Sequence, residues 1–196
     1  MNVNFVVERV KKIILQPKQE WPEIEREAYS VQEIYTKYAL ILAAIPAVAS
    51  FIGWTIVGVG VFGATARAPI GTGIAHLILE YLLSLGAVYV LALAIDALAP
   101  SFDGQKDFMQ AIKLAVFSST AIWLAGIFYI VPALSIFGLL GLYSLYLLYL
   151  GLPLLMKVPE DKALPYTAVV TVASIVIVVV IKVAAMLTIP GQLRGF

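Results

Sequence analysis

Five ionisable side chains lie inside long apolar stretches of this 196-residue chain, and they are the residues that could carry chemistry. They are His76, Glu80, Asp96, Lys113 and Lys182. Ionisable groups in such surroundings are rare and mark polar pathways or structural pairs. Since His76 and Glu80 are four residues apart, they share one face of a helix. One histidine with one carboxylate is too few ligands for a dedicated metal site, so we expect no metal and no cofactor.

Catalytic signatures are missing from the sequence. It contains no GxSxG nucleophile elbow, no P-loop and no HExxH motif. Because the chain has no cysteine, disulfides, thiolate metal ligands and a cysteine nucleophile are excluded. The glycines of Gly58-Val-Gly60 and Gly71-Thr-Gly73 are spaced too loosely for phosphate binding, and we interpret them as bends in an outer loop. We therefore expect a protein that is not an enzyme.

The composition predicts a membrane protein. Hydrophobic residues make up 62% of the chain and charged residues 13%, and the mean hydropathy is +0.97. Soluble domains are about half apolar and roughly a quarter charged, so this much apolar surface requires lipid around it. The net charge of +1 provides no field that would attract nucleic acid. No cleavable signal peptide is expected, because the first 37 residues are polar and charged at intervals.

Five apolar segments are long enough to cross a bilayer, which takes ~20 residues of helix. Helices are favoured over a barrel because the segments do not alternate in polarity, and lipid requires backbone groups to bond within each segment. The sequence therefore predicts an all-α integral membrane protein, a five-span helical bundle with an N-terminal cytoplasmic amphipathic helix. The predicted spans are residues 38–62, 74–98, 109–131, 133–156 and 165–189.

Residues 1–37 form a predicted cytoplasmic preface to the five-helix domain of residues 38–196. Pro17 ends a first, amphipathic helix, and a second, acidic helix begins at Trp21. The first helix lies in the head-group plane, packs on the cytoplasmic ends of the bundle, or does both. Its apolar face consists of Val3, Val6, Val7, Val10, Ile13 and Ile14, and its charged face of Glu8, Arg9, Lys11 and Lys12.

Lysine and arginine are concentrated on one side of the predicted bundle. That side holds the N-terminal preface and the connections that contain Lys106, Lys157 and Lys162. The other side holds Arg67 and Arg194. The positive-inside rule therefore places the N-terminus in the cytoplasm and the C-terminus outside.

Depth along the spans pairs the ionisable residues. Glu80 lies ~9 Å and Lys182 ~10 Å from the outer ends of the second and fifth spans, which predicts an ion pair. Asp96 and Lys113 are likewise both close to the cytoplasmic face. These pairs either fix the register of the helices or border a polar pocket between the second and fifth spans, with His76 at its mouth.

Three tyrosines about one turn apart occupy the middle of the fourth span. They are Tyr143, Tyr146 and Tyr149. We interpret them as helix–helix contacts with hydroxyls bonded inside the bundle, and a polar pathway is the alternative. Lys157 marks the cytoplasmic exit of this span, and Pro153 and Pro159 bracket that exit.

Small residues at four-residue spacing would let helices approach closely in the first and third spans. They are Ala39, Ala43 and Ala47, and Ala111, Ala115 and Ser119. Packing within the bundle and a homodimer face are the two interpretations. Pro46 is expected to kink the first span unless neighbouring side chains satisfy the freed carbonyl.

Three stretches carry a family resemblance, and the last is the most specific. They are residues 95–106, residues 110–126 with Gln110-Ala-Ile-Lys113 and Thr120-Ala-Ile-Trp-Leu-Ala-Gly126, and residues 146–163 with Gly151, Pro153, Lys157 and Pro159. An early Pro17-x-x-x-Trp21 supports them. Together they resemble the bacterial branch of the Yip family, named for eukaryotic Rab-interacting membrane proteins, over nearly the whole chain.

The resemblance implies five helical spans, a cytoplasmic N-terminus and the bacterial inner membrane, and it implies no catalytic residue. The acidic-Leu-Tyr-Gly-Pro stretch that eukaryotic relatives carry before their first span is missing here, so a part in vesicle traffic with Rab GTPases is not carried over. Asp103-Gly104 replaces the frequent Gly-Gly of the second loop, and Phe117 and Ala121 replace a frequent Tyr and Pro.

We expect a non-enzymatic organiser of membrane partners or lipids. Its expected partners are membrane lipids, a second copy of the chain and proteins that bind residues 1–37, but no nucleic acid. The alternative is a small-solute or ion pathway lined by His76, Glu80 and Lys182. A pathway predicts a hydrated cavity between the second and fifth spans, whereas a scaffold predicts a dry, fully paired interior.

Glu80→Gln and Lys182→Met together are expected to be tolerated better than either substitution alone, because each single change leaves one charge unpaired in lipid. The abundance of folded protein in the membrane, measured for the three variants, checks this. A double variant that is no more abundant than the worse single variant would contradict the pair.

Overall fold

The computed structural model describes the backbone of residues 3–61 and 64–188, and their side chains except at positions 3, 59, 61, 64, 181, 182 and 184–188. Within this part of the chain, five helices are long and apolar enough to cross a membrane, which confirms the predicted all-helical, five-span fold. Spans 1 to 5 are Val31–Val57, Ile70–Phe102, Phe108–Ile130, Pro132–Leu155 and Glu160–Val180. The helix of span 5 continues to Thr188. Two shorter helices, α1 (Val3–Leu15) and α2 (Pro17–Arg26), precede the spans.

Four helix starts differ from the predicted ones by more than one residue. Span 1 begins at Val31 rather than residue 38, because the Ser30 hydroxyl accepts from the Glu33 amide and the Glu33 carboxylate accepts from the Ser30 amide. This capping box satisfies the first amides of the helix. Span 2 begins at Ile70 rather than 74, and span 5 at Glu160 rather than 165. The second helix of the preface begins at Pro17 rather than Trp21, since proline is favoured in a first helical turn.

Several spans change helix type along their length. Span 1 contains two π-helical segments, Tyr35–Ala39 and Ile52–Val57, on either side of the α-helix Leu40–Phe51, which runs continuously through Pro46. The last residues of spans 2 and 3 form 3-10 helices, Ala99–Phe102 and Gly126–Ile130, respectively. Span 3 is otherwise α-helical over Phe108–Ser118 and Thr120–Ala125. Span 4 is 3-10 helix over Pro132–Leu142 and α-helix over Tyr143–Leu155.

A short antiparallel hairpin of strands β1 (Val59–Val61) and β2 (Ala64–Ala66) joins spans 1 and 2. Gly58 ends span 1 with a φ of 85°, a conformation that favours glycine, so this glycine does turn the chain into the loop. The same interpretation of Gly71 and Gly73 is wrong, because both lie inside the helix of span 2. A Cβ at Gly73 would lie 2.2 Å from the Thr55 hydroxyl oxygen, so this glycine permits close contact of spans 1 and 2.

Span 3 is the central helix of the bundle. Its most apolar stretch is 78% buried, against 17% to 39% for the other four spans. The small residues of spans 1 and 3 are buried within one copy, with exposed fractions of 0% for Ala43 and Ala115 and 8% for Ser119. These two faces therefore pack inside the protomer, as the first interpretation has it, and a homodimer stays a prediction.

Gly126→Ala is expected to lower the free energy of unfolding by ~1–3 kcal/mol, because a Cβ at Gly126 would lie 2.5 Å from the Pro46 Cβ, in the rigid ring. Gly86→Ala is the matched control, since no atom lies within 4 Å of its Cβ and alanine favours the helix. Unfolding of both purified variants in detergent measures the difference. Equal stability of the two variants would contradict the close packing of spans 1 and 3.

Candidate functional site

The N-terminal hairpin, formed by α1 and α2, packs against the helical bundle. Ile13, Trp21 and Ile24 are at most 1% exposed. Packing of the preface on the bundle is therefore confirmed, and a position of α1 in the head-group plane, which is compatible with that packing, stays a prediction. Two residues of α1 also exchange their predicted faces, because Arg9 is only 7% exposed whereas Val7 is 46% exposed.

Arg9 faces the bundle because carboxylates from both following segments neutralise it. Its guanidinium donates to Glu20 and, over 2.6 Å, to both carboxylate oxygens of Glu27. It also donates to the Tyr29 hydroxyl over 3.2 Å, and that hydroxyl donates in turn to Glu27. The ring of Phe117 in span 3 lies 5.8 Å from the guanidinium carbon. The ion cluster, defined as Arg9, Glu20, Glu27 and Tyr29, thus joins α1, α2 and the segment that follows α2. Span 3 covers it.

Electrostatics keep Arg9 and Glu27 charged at neutral pH. Burial by itself would raise the pKa of Glu27, but its hydrogen bonds with Arg9 and Tyr29 outweigh burial and hold that pKa below its usual value. Burial opposes the charge of Arg9 as well, yet the bond to Glu27 and the neighbouring carboxylates raise its pKa. Burial and the bond to Glu27 raise the pKa of Tyr29 to about 12, so its hydroxyl remains a donor.

The α2 helix docks on one end of the bundle. We call this end the N-terminal face; it consists of the ends of spans 2 to 5 at residues 99–113 and 155–163. The backbone carbonyl of Glu25 accepts from Lys113 Nζ over 3.0 Å and from Gln110 Nε2 over 3.2 Å. The Glu25 carboxylate pairs with Lys157. The predicted pairing of Asp96 with Lys113 is therefore wrong, because the ammonium group of Lys113 instead donates to the backbone carbonyl of Glu25 in α2.

Trp21 fills the space beside Gly151 on span 4. A Cβ at position 151 would lie 2.9 Å from Trp21 Cε2 and 2.5 Å from Leu114 Cδ1. Glycine at this position therefore lets the indole approach the backbone of span 4. The Pro17-x-x-x-Trp21 motif and the residue 146–163 stretch thus contact each other.

The three tyrosines of span 4 have different surroundings. The Tyr143 hydroxyl donates to the Ile14 carbonyl of α1 over 3.0 Å, so it secures the far end of the hairpin. Tyr146 and Tyr149 are 41% and 38% exposed, respectively. The packing interpretation is therefore right for Tyr143 and wrong for Tyr146 and Tyr149, because α2 covers only one side of this helix.

The loop after span 2 completes the N-terminal face. Asp103 pairs with Lys162, and the Gln105 amide donates to the Met156 carbonyl over 2.8 Å. Span 4 ends at Leu155, and Lys157 follows with a φ of 54°. Pro153 lies in the last turn of that helix, and Pro159 directly precedes span 5. The loop after span 2 and the end of span 4, which belong to two of the stretches that carried the family resemblance, therefore meet at one end of the bundle.

The intramembrane polar residues of span 2 are at a distance from the hairpin. His76 Nδ1 lies 3.5 Å from Glu80 Oε2, and the Ser50 hydroxyl of span 1 donates to Glu80 Oε1 over 3.4 Å. The side chain of His76 is 62% exposed. Asp96 Oδ1 is buried and makes no hydrogen bond within the described residues. The side chain of Lys182 lies outside the described residues, so its pairing with Glu80 stays a prediction.

Sequence reasoning missed the ion cluster, although one signal was present. Arg9 lies four residues from both Phe5 and Ile13, so helical spacing places it on their face. Its charge alone suggested the opposite assignment. The partners of Arg9 are 11 and 18 residues away and belong to separate segments, and no local pattern connects them.

Comparisons with known proteins identify the family to which this chain is similar. The Yip1 domain profile matches residues 11–181, which include α2, all of spans 1 to 4 and span 5 through Ile181. The inner membrane protein YohC of Escherichia coli K12 is 26% identical over 157 residues, covering 78% of this chain and 80% of that protein. YohC of Escherichia coli O6:H1 strain CFT073 matches to the same extent. No solved structure matches this chain significantly.

Arg9→Met is expected to lower the free energy of unfolding by ~3–5 kcal/mol, because it leaves buried Glu20 without its cation. Glu20→Gln in the same chain should recover part of the loss. Arg26→Met is the matched control: its side chain is 75% exposed, and a change within ~0.5 kcal/mol is expected. Unfolding in detergent measures all three. An Arg9→Met variant as stable as Arg26→Met would contradict the ion cluster.

Acid should loosen the hairpin through Glu27. Because its folded pKa lies below the usual value of 4.5, its contribution is complete above pH 4.5 and is lost as the pH falls through the folded pKa. Protease cleavage within residues 1–29, followed at decreasing pH, reports this change. Glu27→Gln should be cleaved faster at neutral pH and respond less to acid. An acid response identical in both proteins would exclude Glu27 as its origin.

Proposed function

Because this chain belongs to the Yip1 domain family of integral membrane proteins, we propose that it is a non-enzymatic organiser of membrane partners or lipids. The bacterial inner membrane is its proposed location, as in the YohC relatives. The observation that carries the proposal is the fixed position of the hairpin: the ion cluster joins α1 to α2, and Glu25 and Trp21 hold α2 on the N-terminal face. A hairpin fixed in this way presents its remaining side chains as a constant surface.

The outer surface of the hairpin has the composition of a contact surface for charged partners. Its exposed charged residues are Glu8, Lys11, Lys12, Lys18, Glu23 and Arg26. The buried charges of the hairpin, in contrast, are engaged with one another, so none of them is arranged as a nucleophile with its base. This division supports binding rather than catalysis.

A cytoplasmic N-terminus and an outer C-terminus complete the proposal. The N-terminal face carries Lys106, Lys113, Lys157 and Lys162, whereas Arg67 follows the β-hairpin at the opposite end. That distribution supports a cytoplasmic N-terminal face through the positive-inside rule. Protein partners of residues 1–37 would then be cytoplasmic.

The alternative function is a small-solute or ion pathway. The contacts of Glu80 with His76 and Ser50, together with buried Asp96 Oδ1, favour it, since polar groups at membrane depth often border pathways. Against it, two cavities in the described part of the chain flank the α1–α2 hairpin, and none of these polar residues lines them.

Proteoliposomes containing the purified chain are expected to show no more flux of ions or small solutes than empty liposomes. Glu80→Ala should leave that result unchanged, because the organiser does not use this carboxylate for conduction. Radiolabelled or fluorescent solute release measures the flux. Flux that requires Glu80 would overturn the organiser and establish the pathway.

A further inference from the structure

Two cavities flank the turn between α1 and α2 and share Tyr143 in their walls. The first, of about 320 Å³, has polar and apolar walls in about equal parts, and its polar side chains include Gln16, Lys18, Gln19 and Tyr146. The second, of about 440 Å³, is almost entirely apolar, and its walls include Ile14, Ala121, Leu124, Phe128 and Leu140. Both are open at the surface of the bundle. A cavity that contains a lysine and two glutamines thus adjoins a larger, apolar one.

The depth of the cavities follows from hydrogen bonds between the spans. Exposed apolar side chains of span 2 extend from Ile70 to Leu93, which marks the part that faces lipid. Trp123 Nε1 donates to the Ser84 hydroxyl over 3.0 Å, so Trp123 is level with Ser84, ~14 Å inside the Leu93 end. Ala121 is two residues nearer the N-terminal face, and the apolar cavity therefore begins ~10 Å below that end of the lipid-facing surface.

The polar cavity lies nearer the N-terminal face than the apolar one. Tyr146 is ~4.5 Å closer to that face than Tyr143, since span 4 runs toward it. Phe128 and Leu140 of the apolar cavity lie on the far side of Tyr143. This order, polar and then apolar with increasing depth, is the order of head group and acyl chain in the adjacent leaflet.

The charge at the polar cavity favours an anion. Lys18 lines it. The nearest acidic residue in sequence, Glu20, is buried and paired with Arg9, so it does not cancel the charge of Lys18. Lysine attracts the head groups of anionic lipids. A free anion would leave the apolar cavity unused.

We propose that the two cavities together bind one phospholipid with an anionic head group from the leaflet at the N-terminal face. Its phosphate contacts Lys18, Gln19 and Tyr146, and one acyl chain lies along Ile14, Ala121 and Leu140. This inference rests on the proposed function and specifies the class of lipid. The hairpin would then be a lid that borders the bound lipid on one side.

Native mass spectrometry of the delipidated full chain in detergent tests the head-group half of the site. Dioleoyl phosphatidylglycerol should bind more tightly than dioleoyl phosphatidylcholine, and inorganic phosphate should not compete. Lys18→Gln should weaken phosphatidylglycerol binding about tenfold, the effect of losing one charge-assisted contact. Lys12→Gln, which alters an exposed lysine outside the cavity, should leave binding unchanged. Equal binding of the two lipids, or equal effects of the two variants, would overturn the proposal.

A second pair of variants tests the acyl-chain half without altering charge. Leu140→Trp places a larger side chain in the apolar cavity, whereas Leu139→Trp alters a neighbour that does not line it; the two leucines are 58% and 60% exposed. Both exposures favour retained folding. Only Leu140→Trp should reduce phosphatidylglycerol binding. Retention of lipid by Leu140→Trp at the wild-type level would overturn the proposal.

A second copy of the chain is the competing occupant. Because the chain has no cysteine, Tyr146→Cys provides a single thiol at the cavity. Efficient disulfide-linked dimers of this variant in membranes would overturn lipid as the occupant, and a thiol that stays monomeric supports it. These outcomes can be distinguished from the result of the flux assay. Flux that requires Glu80 would contradict the proposed organiser function but would not change the measured lipid binding.

Discussion

The burial of one arginine is the constraint on which the arrangement of the N-terminal hairpin depends. Removing a guanidinium from water costs several kcal/mol unless carboxylates and hydrogen bonds replace the water. Arg9 finds these partners in Glu20 of α2 and in Glu27 and Tyr29 beyond α2. All three segments must therefore adopt this arrangement together, since any other would leave a charge buried alone. The ion cluster therefore determines how these three segments are arranged, even if apolar residues in place of its charged side chains would give the same stability.

The hairpin and the N-terminal face depend on each other through a small set of contacts. Trp21 packs on Gly151, Glu25 joins Lys113 to Lys157, and Tyr143 receives the end of α1. The loop of Asp103 is tied to Lys162 in the same region. These contacts connect the preface, the loop after span 2 and the end of span 4, and they hold the preface against the bundle.

The sequence was sufficient to predict the spans, because crossing lipid requires long apolar helices and few other solutions exist. Phe108–Ile130 and Pro132–Leu155 differ from the predicted spans by one residue at each end. Helix starts at Val31 and Glu160 were less predictable, since caps and polar first turns extend helices beyond their apolar part. The direction of Arg9, the capture of Lys113 by α2 and the central place of span 3 depend on contacts between distant segments. No pattern within one helix contains that information.

Hydrogen exchange of α1 and α2 tests the locked hairpin most directly. In lipid nanodiscs, amides of residues 5–24 should be protected nearly as strongly as those of the central span 3, and Arg9→Met should remove that protection while span 3 keeps its own. Exchange of residues 5–24 in the wild-type chain at the rate of an unstructured peptide would contradict the account.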